Sequence, residues 1–125
     1  MNKSFLVLGS FLGLLGVGLG AFGAHALKDF LTENGNSITF DTAVKYQFYH
    51  AFALIITGIL AKDFDNKWIN YAGKAFLIGT IVFSGSLYAI CITNIKMFGA
   101  ITPIGGTLLI LGWTCLIVSF VKSGR

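Results

Sequence analysis

The chain has 125 residues, of which 55% are hydrophobic and only 11% are charged, and its net charge is +4. A soluble domain carries about twice that share of charged residues, so too little polar surface remains here for a water-soluble fold. The basic residues flank apolar runs instead of clustering on one segment, which argues against a nucleic-acid partner. The composition therefore indicates a protein of the lipid bilayer.

Four stretches contain no Asp, Glu, Lys or Arg: residues 4–27, 46–61, 75–95 and 97–121. Crossing a hydrocarbon core of roughly 30 Å takes about 20 helical residues, a length that three of these stretches reach. The second reaches it if its helix starts near Asp41 or Thr42 and Lys45 extends toward the head groups. We predict an all-α polytopic membrane protein with one domain over residues 1–125, a four-helix bundle with spans at about 5–27, 43–61, 75–95 and 98–121.

The positive charges predict the orientation of these spans. One side of the membrane receives Lys3, Lys62, Lys67, Lys74, Lys122 and Arg125, and the other receives Lys28, Lys45 and Lys96. Because short cytoplasmic segments carry the excess of Lys and Arg, this asymmetry favours both termini in the cytoplasm.

The first apolar run carries an ordered row of glycines and ends in the sequence GAFGAHAL at residues 20–27. The row, with steps of 4, 3, 4 and 3, consists of Gly9, Gly13, Gly16, Gly20 and Gly23. A mean period of 3.5 keeps them on one side of a helix that supercoils with a neighbour, and small residues let membrane helices approach closely. A secretory signal peptide ending at Ala24-His25-Ala26 is the alternative, but its apolar region would be shorter. The pattern favours a retained, packing helix.

A second row of small or polar residues lies on the opposite side of the same predicted helix. Gly18, Ala21 and His25 are spaced 3 and 4 residues apart. At 100° per residue, His25 lies about 160° from the mean direction of the glycine row. We therefore expect the first span to contact protein on two sides, as a central helix in a bundle or in an oligomer would.

Polar residues in the later spans are candidates for functional or structural roles, because polar groups are costly in lipid and face the bundle interior. Gln47 and His50 share one side of the second span, and the third span contains FSGSLY at residues 83–88. In the fourth, Pro103 either caps a late start or kinks the helix, and Gly105 and Gly112 predict a close contact. The candidate polar positions are His25, Gln47, His50, Ser84, Ser86 and Tyr88. The helix-packing glycines are those of the first-span row together with Gly105 and Gly106.

The two histidines are the only ionisable groups expected within the spans. Counting 1.5 Å per residue places His25 about 15 Å further across the membrane than His50, too far for shared metal coordination. A serine nucleophile at Ser84 or Ser86 would need a base and an orienting third group, and a proton relay usually needs carboxylates, which the spans lack. The simpler interpretation is that both histidines are hydrogen-bonded structural residues. We predict no metal, no cofactor and no catalytic residue.

Four ordered motifs resemble those of a known family: GAFGAHAL at 20–27, YQFYHA at 46–51, GTIVFSGSLY at 79–88, and ITPIGG with GW at 101–113. The chain is identified as a member of the small four-span proteins called uncharacterised protein family 0382, or domain of unknown function 423. The resemblance covers about residues 5–120. It implies a multi-pass plasma-membrane protein and implies no activity. The positions that match the family pattern are Gly20, Gly23, His25, Tyr46, Gln47, His50, Ser84, Gly85, Ser86, Tyr88, Pro103, Gly105 and Gly106.

Two functions stay open at this point. In the first, the chain is a non-catalytic membrane protein that packs against a partner protein, another copy or lipid through the glycine row of the first span. In the second, it is a small channel, carrier or proton-handling protein that uses Gln47, His50 and Ser84 inside the bundle. The first predicts that leucine at Gly13 and Gly16 breaks assembly, and the second that His50→Ala abolishes a flux.

Overall fold

A computed structural model describes residues 1–123, so the orientation argument from Arg125 falls outside the described residues. Within them the chain is helical and contains no strand. The α-helices are α1 (Lys3–His25), α2 (Lys28–Glu33), α3 (Ser37–Leu60), α4 (Lys67–Thr93) and α5 (Thr102–Lys122), and a 3₁₀ turn covers Lys96–Ala100. Four segments are long and apolar enough to cross a membrane: α1, α3, α4, and the 3₁₀ turn together with α5. The predicted all-α, four-span architecture is confirmed.

The connection between α1 and α3 is more ordered than expected. Its charged residues form the short helix α2, which ends in a turn where Gly35 takes a positive φ of 69° that a side chain would disfavour. Asn36 then precedes α3, so Asp41 is not the N-cap that starts this helix but lies in its second turn. The helix extends beyond the apolar core because its first turns lie where head groups and water can solvate polar side chains.

Both chain ends lie at the same end of the bundle. The backbone N–H of Asn2 donates to the carbonyl of Gly58 at 2.8 Å, and the Asn66 side-chain amide donates to the carbonyl of Ser119 at 3.3 Å. Asn2 and Asn66 also cap α1 and α4, since each side-chain oxygen accepts backbone N–H groups of the following turn. That this end faces the cytoplasm stays a prediction from the charge asymmetry.

At the opposite end, the chain turns from α4 into α5 through a left-handed residue. Asn94, with φ of 57°, ends α4, and the 3₁₀ turn follows directly. The α-helix α5 starts at Thr102, later than the predicted span of about 98–121, and Pro103 lies in its first turn, where the missing N–H needs no partner. Pro103 thus caps a late start and does not interrupt the helix.

The four long helices pack in chain order: α1 on α3, α3 on α4, and α4 on α5. Phe76 of α4 is completely buried and lies edge-on to Trp113 of α5, with ring centroids 4.9 Å apart. α1 and α5 lie at the two edges of this arrangement, and α1 is the least buried of the spans. Within the single chain only one side of α1 packs against another span, so the expected contact on its second side stays a prediction for an oligomer.

Candidate functional site

The polar side chains predicted for the interior form a hydrogen-bonded network across the helices. Gln47 of α3 is its centre and is almost fully buried. Its amide Nε2 donates to the backbone carbonyl of Leu12 in α1 at 2.8 Å, and its Oε1 accepts the hydroxyl of Tyr88 in α4 at 2.6 Å. Such bonds stabilise membrane helix contacts by about 0.6–2 kcal/mol each. One side chain therefore joins three helices.

The two serines of the FSGSLY segment connect α4 to different neighbours. Ser84 Oγ donates to the Ala43 carbonyl of α3 at 2.7 Å. Ser86 Oγ lies 2.8 Å from the Phe83 carbonyl and 2.6 Å from the hydroxyl of Thr102 in α5. Neither serine bonds to a histidine, so the base that a serine nucleophile requires is not at hand.

His50 is held by one partner at each ring nitrogen. Its Nδ1 lies 2.8 Å from the Tyr46 carbonyl, and the indole Nε1 of Trp113 lies 3.1 Å from its Nε2. An indole N–H can only donate, so Nε2 must accept and the proton must sit on Nδ1. The partners thus assign a neutral imidazole with both nitrogens engaged. The ring is 5% exposed, with Phe76 against it on α4.

A cleft of about 210 Å³ lies between α1 and α4 over this network. Gln47, Thr80, Ser84 and Tyr88 contribute its polar atoms, and leucines of α1 line the other side. Every one of these hydroxyls already donates a hydrogen bond within the chain. The cleft is therefore a lipid-facing depression over a satisfied network.

The first-span glycines divide into two groups. A Cβ at Gly9, Gly16 or Gly23 would collide with α3, meeting Ile55, the Phe48 ring at 3.0 Å and the Phe40 ring respectively. At Gly20 it would meet only Val44 at 3.4 Å, and at Gly13 it would meet nothing within 4 Å. The row therefore packs inside the chain with a period of seven, and leucine at Gly16 would report on folding and not on assembly.

The fourth-span glycines also differ from one another. A Cβ at Gly105 would overlap the backbone of Phe83 in α4, and one at Gly112 would lie 2.7 Å from the Phe76 ring. At Gly106 the nearest atom is 3.7 Å away, which is an ordinary contact. Gly105 and Gly112 thus set the α4–α5 distance, and Gly106 contributes little to it.

His25 stands apart from the interior network. It is the last residue of α1 and is exposed, and its side chain makes no hydrogen bond to another residue within 1–123. His50 lies in the middle of α3, so the two histidines do not meet, and no group of three or more His, Cys, Asp or Glu with metal-binding geometry occurs in the described part of the chain.

The comparisons with known proteins agree with the motif resemblance. A family profile with the description "Protein of unknown function (DUF423)" matches residues 19–106. The chain belongs to the DUF423 family. UPF0382 membrane protein SH2409 of Staphylococcus haemolyticus (strain JCSC1435) is 44% identical over 120 residues, which cover 96% of this chain and 97% of the relative. UPF0382 membrane protein YwdK of Bacillus subtilis (strain 168) is 40% identical over 121 residues, covering 96% and 98%. No solved structure matches this DUF423 chain.

Sequence reasoning missed the partners of several predicted residues. Trp113 lies in the GW pair of the fourth motif. That pair does not indicate that the indole, which can only donate, holds His50. The carbonyls of Leu12 and Ala43 carry no signal in the sequence, because any residue could supply them. A buried amide such as Gln47 indicates that hydrogen-bond partners exist. Which residues these partners are depends on how the helices pack.

Proposed function

We propose that this DUF423 chain is a non-catalytic protein of the bacterial plasma membrane, with both termini in the cytoplasm, that packs against another membrane helix. The contact surface is the outer row of α1, consisting of Gly18, Ala21 and His25. The partner is a second copy of the chain or a different membrane protein.

The position of Gly18 is the observation that carries this proposal. It lies in the middle of an edge helix, is exposed, and has no atom within 4 Å of the place where a Cβ would stand. A glycine costs a helix about 1 kcal/mol relative to alanine. At Gly16 the close approach of Phe48 accounts for a glycine, but nothing within the chain accounts for Gly18. A neighbouring helix that approaches closely would account for it.

The interior supports a structural role over transport or catalysis. The alternative channel hypothesis uses the side chains of Gln47, His50 and Ser84. Each of them is hydrogen-bonded to another helix of the same chain. A conducting path would need polar groups free to exchange partners with a solute or with water. These interhelical bonds fit a protein whose interior maintains one packing arrangement.

Photo-crosslinking in native membranes tests the proposal. A photoreactive leucine analogue in place of Leu14, which is 66% exposed on α1 one turn before Gly18, should give a discrete crosslinked product of fixed mass. The same group at Ile110, which is 67% exposed on α5, serves as the control for random lipid-phase collisions and should give none. Equal products at both positions would reject the α1 surface. A flux in proteoliposomes that His50→Ala abolishes would reject the non-catalytic role in favour of transport.

A further inference from the structure

An amphipathic cavity lies away from the interior network, at the end of the bundle that carries α2. It has a volume of about 340 Å³ and opens between the last turns of α1, α2 and the first turns of α3. Hereafter we call it the α2 cavity. No residue of the proposed contact row lines it.

The floor of the α2 cavity is apolar and owes its depth to a glycine. Gly20 and Gly23 of α1 face Phe40 and Val44 of α3. The Phe40 ring occupies the space beside Gly23. At Gly20 an added Cβ would meet only Val44, at 3.4 Å. The absence of a side chain at Gly20 therefore leaves a slot between α1 and α3 that accepts a hydrocarbon chain.

The rim of the α2 cavity is polar, and its lining contains one lysine, Lys28, and one carboxylate, Asp41. Asp41 is paired with Lys45, whose Nζ lies 2.9 Å from its Oδ2. Lys28 lines the cavity and forms no salt bridge among residues 1–123. The carboxylates of α2, Asp29 and Glu33, do not line the cavity. The rim therefore favours an anion beside Lys28.

Two hydroxyls lie beside this lysine. Thr32 Oγ1 donates to the Lys28 carbonyl at 2.8 Å and lies 3.4 Å from Ser37 Oγ. Because the Thr32 proton goes to the Lys28 carbonyl, Ser37 is the donor in its contact with Thr32, and the Lys28 ammonium is the group left to donate to a bound oxygen. An ammonium at the rim of an apolar slot suits a phosphate group.

The depth of the α2 cavity in the membrane identifies the source of that phosphate. α1 is 23 residues long, which at 1.5 Å per residue carries the chain across a hydrocarbon core of roughly 30 Å. Lys28 therefore lies at head-group level while Gly20 lies among acyl chains. The bilayer itself supplies molecules with a phosphate and a hydrocarbon chain at this separation.

We infer that the α2 cavity binds one anionic phospholipid, with its phosphate at Lys28 and one acyl chain in the slot at Gly20. A single lysine distinguishes lipids by net charge, so phosphatidylglycerol binds better than the zwitterionic phosphatidylcholine. One basic residue near a head group is worth about a fivefold preference. The inference does not depend on a protein partner.

Native mass spectrometry of the full chain, released from detergent with either lipid at equal concentration, tests the inference. The unaltered chain should retain one phosphatidylglycerol about five times more often than one phosphatidylcholine. Lys28→Gln should remove that preference, and Gly20→Leu should remove both lipids by filling the slot. Lys96→Gln, which removes a lysine from the same end of the bundle outside the cavity, is the matched control and should bind as the unaltered chain does.

Three results would overturn the inference. The first is an equal affinity of the unaltered chain for the two lipids, and the second is an equal loss of binding in Lys28→Gln and Lys96→Gln. The third is displacement of the lipid by millimolar inorganic phosphate, which would assign the site to the free ion. All variants are first checked for unaltered thermal unfolding in detergent, and should Gly20→Leu fail to fold, Gly20→Ala replaces it with a smaller expected loss.

Discussion

On the side of α1 that faces α3, Gly9, Gly16 and Gly23 stand where any side chain would strike a neighbouring helix. On the side that faces away, Gly18 stands in open space. Both sides belong to the same helix and carry glycine. Only on the side that faces α3 does the chain itself supply a steric reason for glycine. The comparison teaches that a glycine pattern in a membrane helix marks close approach, and that the structure decides whether the approaching helix belongs to the same chain.

Gly16→Leu should produce the largest effect, because it breaks the inner side of α1. The added side chain must displace the Phe48 ring, whose nearest atom lies 3.0 Å from a Cβ at this position. Overpacking of this kind costs about 1–3 kcal/mol of the free energy of unfolding. Denaturant titration in detergent micelles should show an earlier unfolding midpoint. An unchanged midpoint would mean that α1 and α3 are not in the contact described.

Gly13→Ala should produce the smallest effect, with the opposite sign. A Cβ at this position meets nothing within 4 Å, so the substitution gains helix propensity of up to about 1 kcal/mol without a clash. The same titration should show an equal or later midpoint. A clear destabilisation would show that the first-span row acts as one continuous surface, as its 4,3,4,3 spacing suggested.

Much of the fold follows from the sequence, because hydrophobic length is a strong constraint in a bilayer. The uncharged runs predicted the four spans, and the polar residues of the second span predicted the buried side of α3. The short helix α2 could not be predicted, since its six residues depend on docking Leu31, which is buried, against the rest of the chain.

The candidate site was predictable in its members but not in its connections. Gln47 and His50 stand out in the sequence as candidate site residues because polar side chains are costly in lipid. Their partners depend on the rotation of α1 and α5 about their own axes, which the sequence leaves open. The α2 cavity could not be foreseen either, because it requires α1, α2 and α3 to meet around Gly20.

The central claim is that the outer side of α1 is a contact surface, and the most direct test is to fill it. The measurement is the yield of crosslinked complex in native membranes for Gly18→Leu, with Val17→Leu as the matched control. Both positions are exposed, and Val17 is 62% exposed, but only position 18 lies in the small-residue row. The account predicts at least about a tenfold loss for Gly18→Leu, equivalent to about 1.4 kcal/mol, with unchanged unfolding and an unchanged yield for Val17→Leu. A Gly18→Leu yield equal to that of the unaltered chain would contradict it.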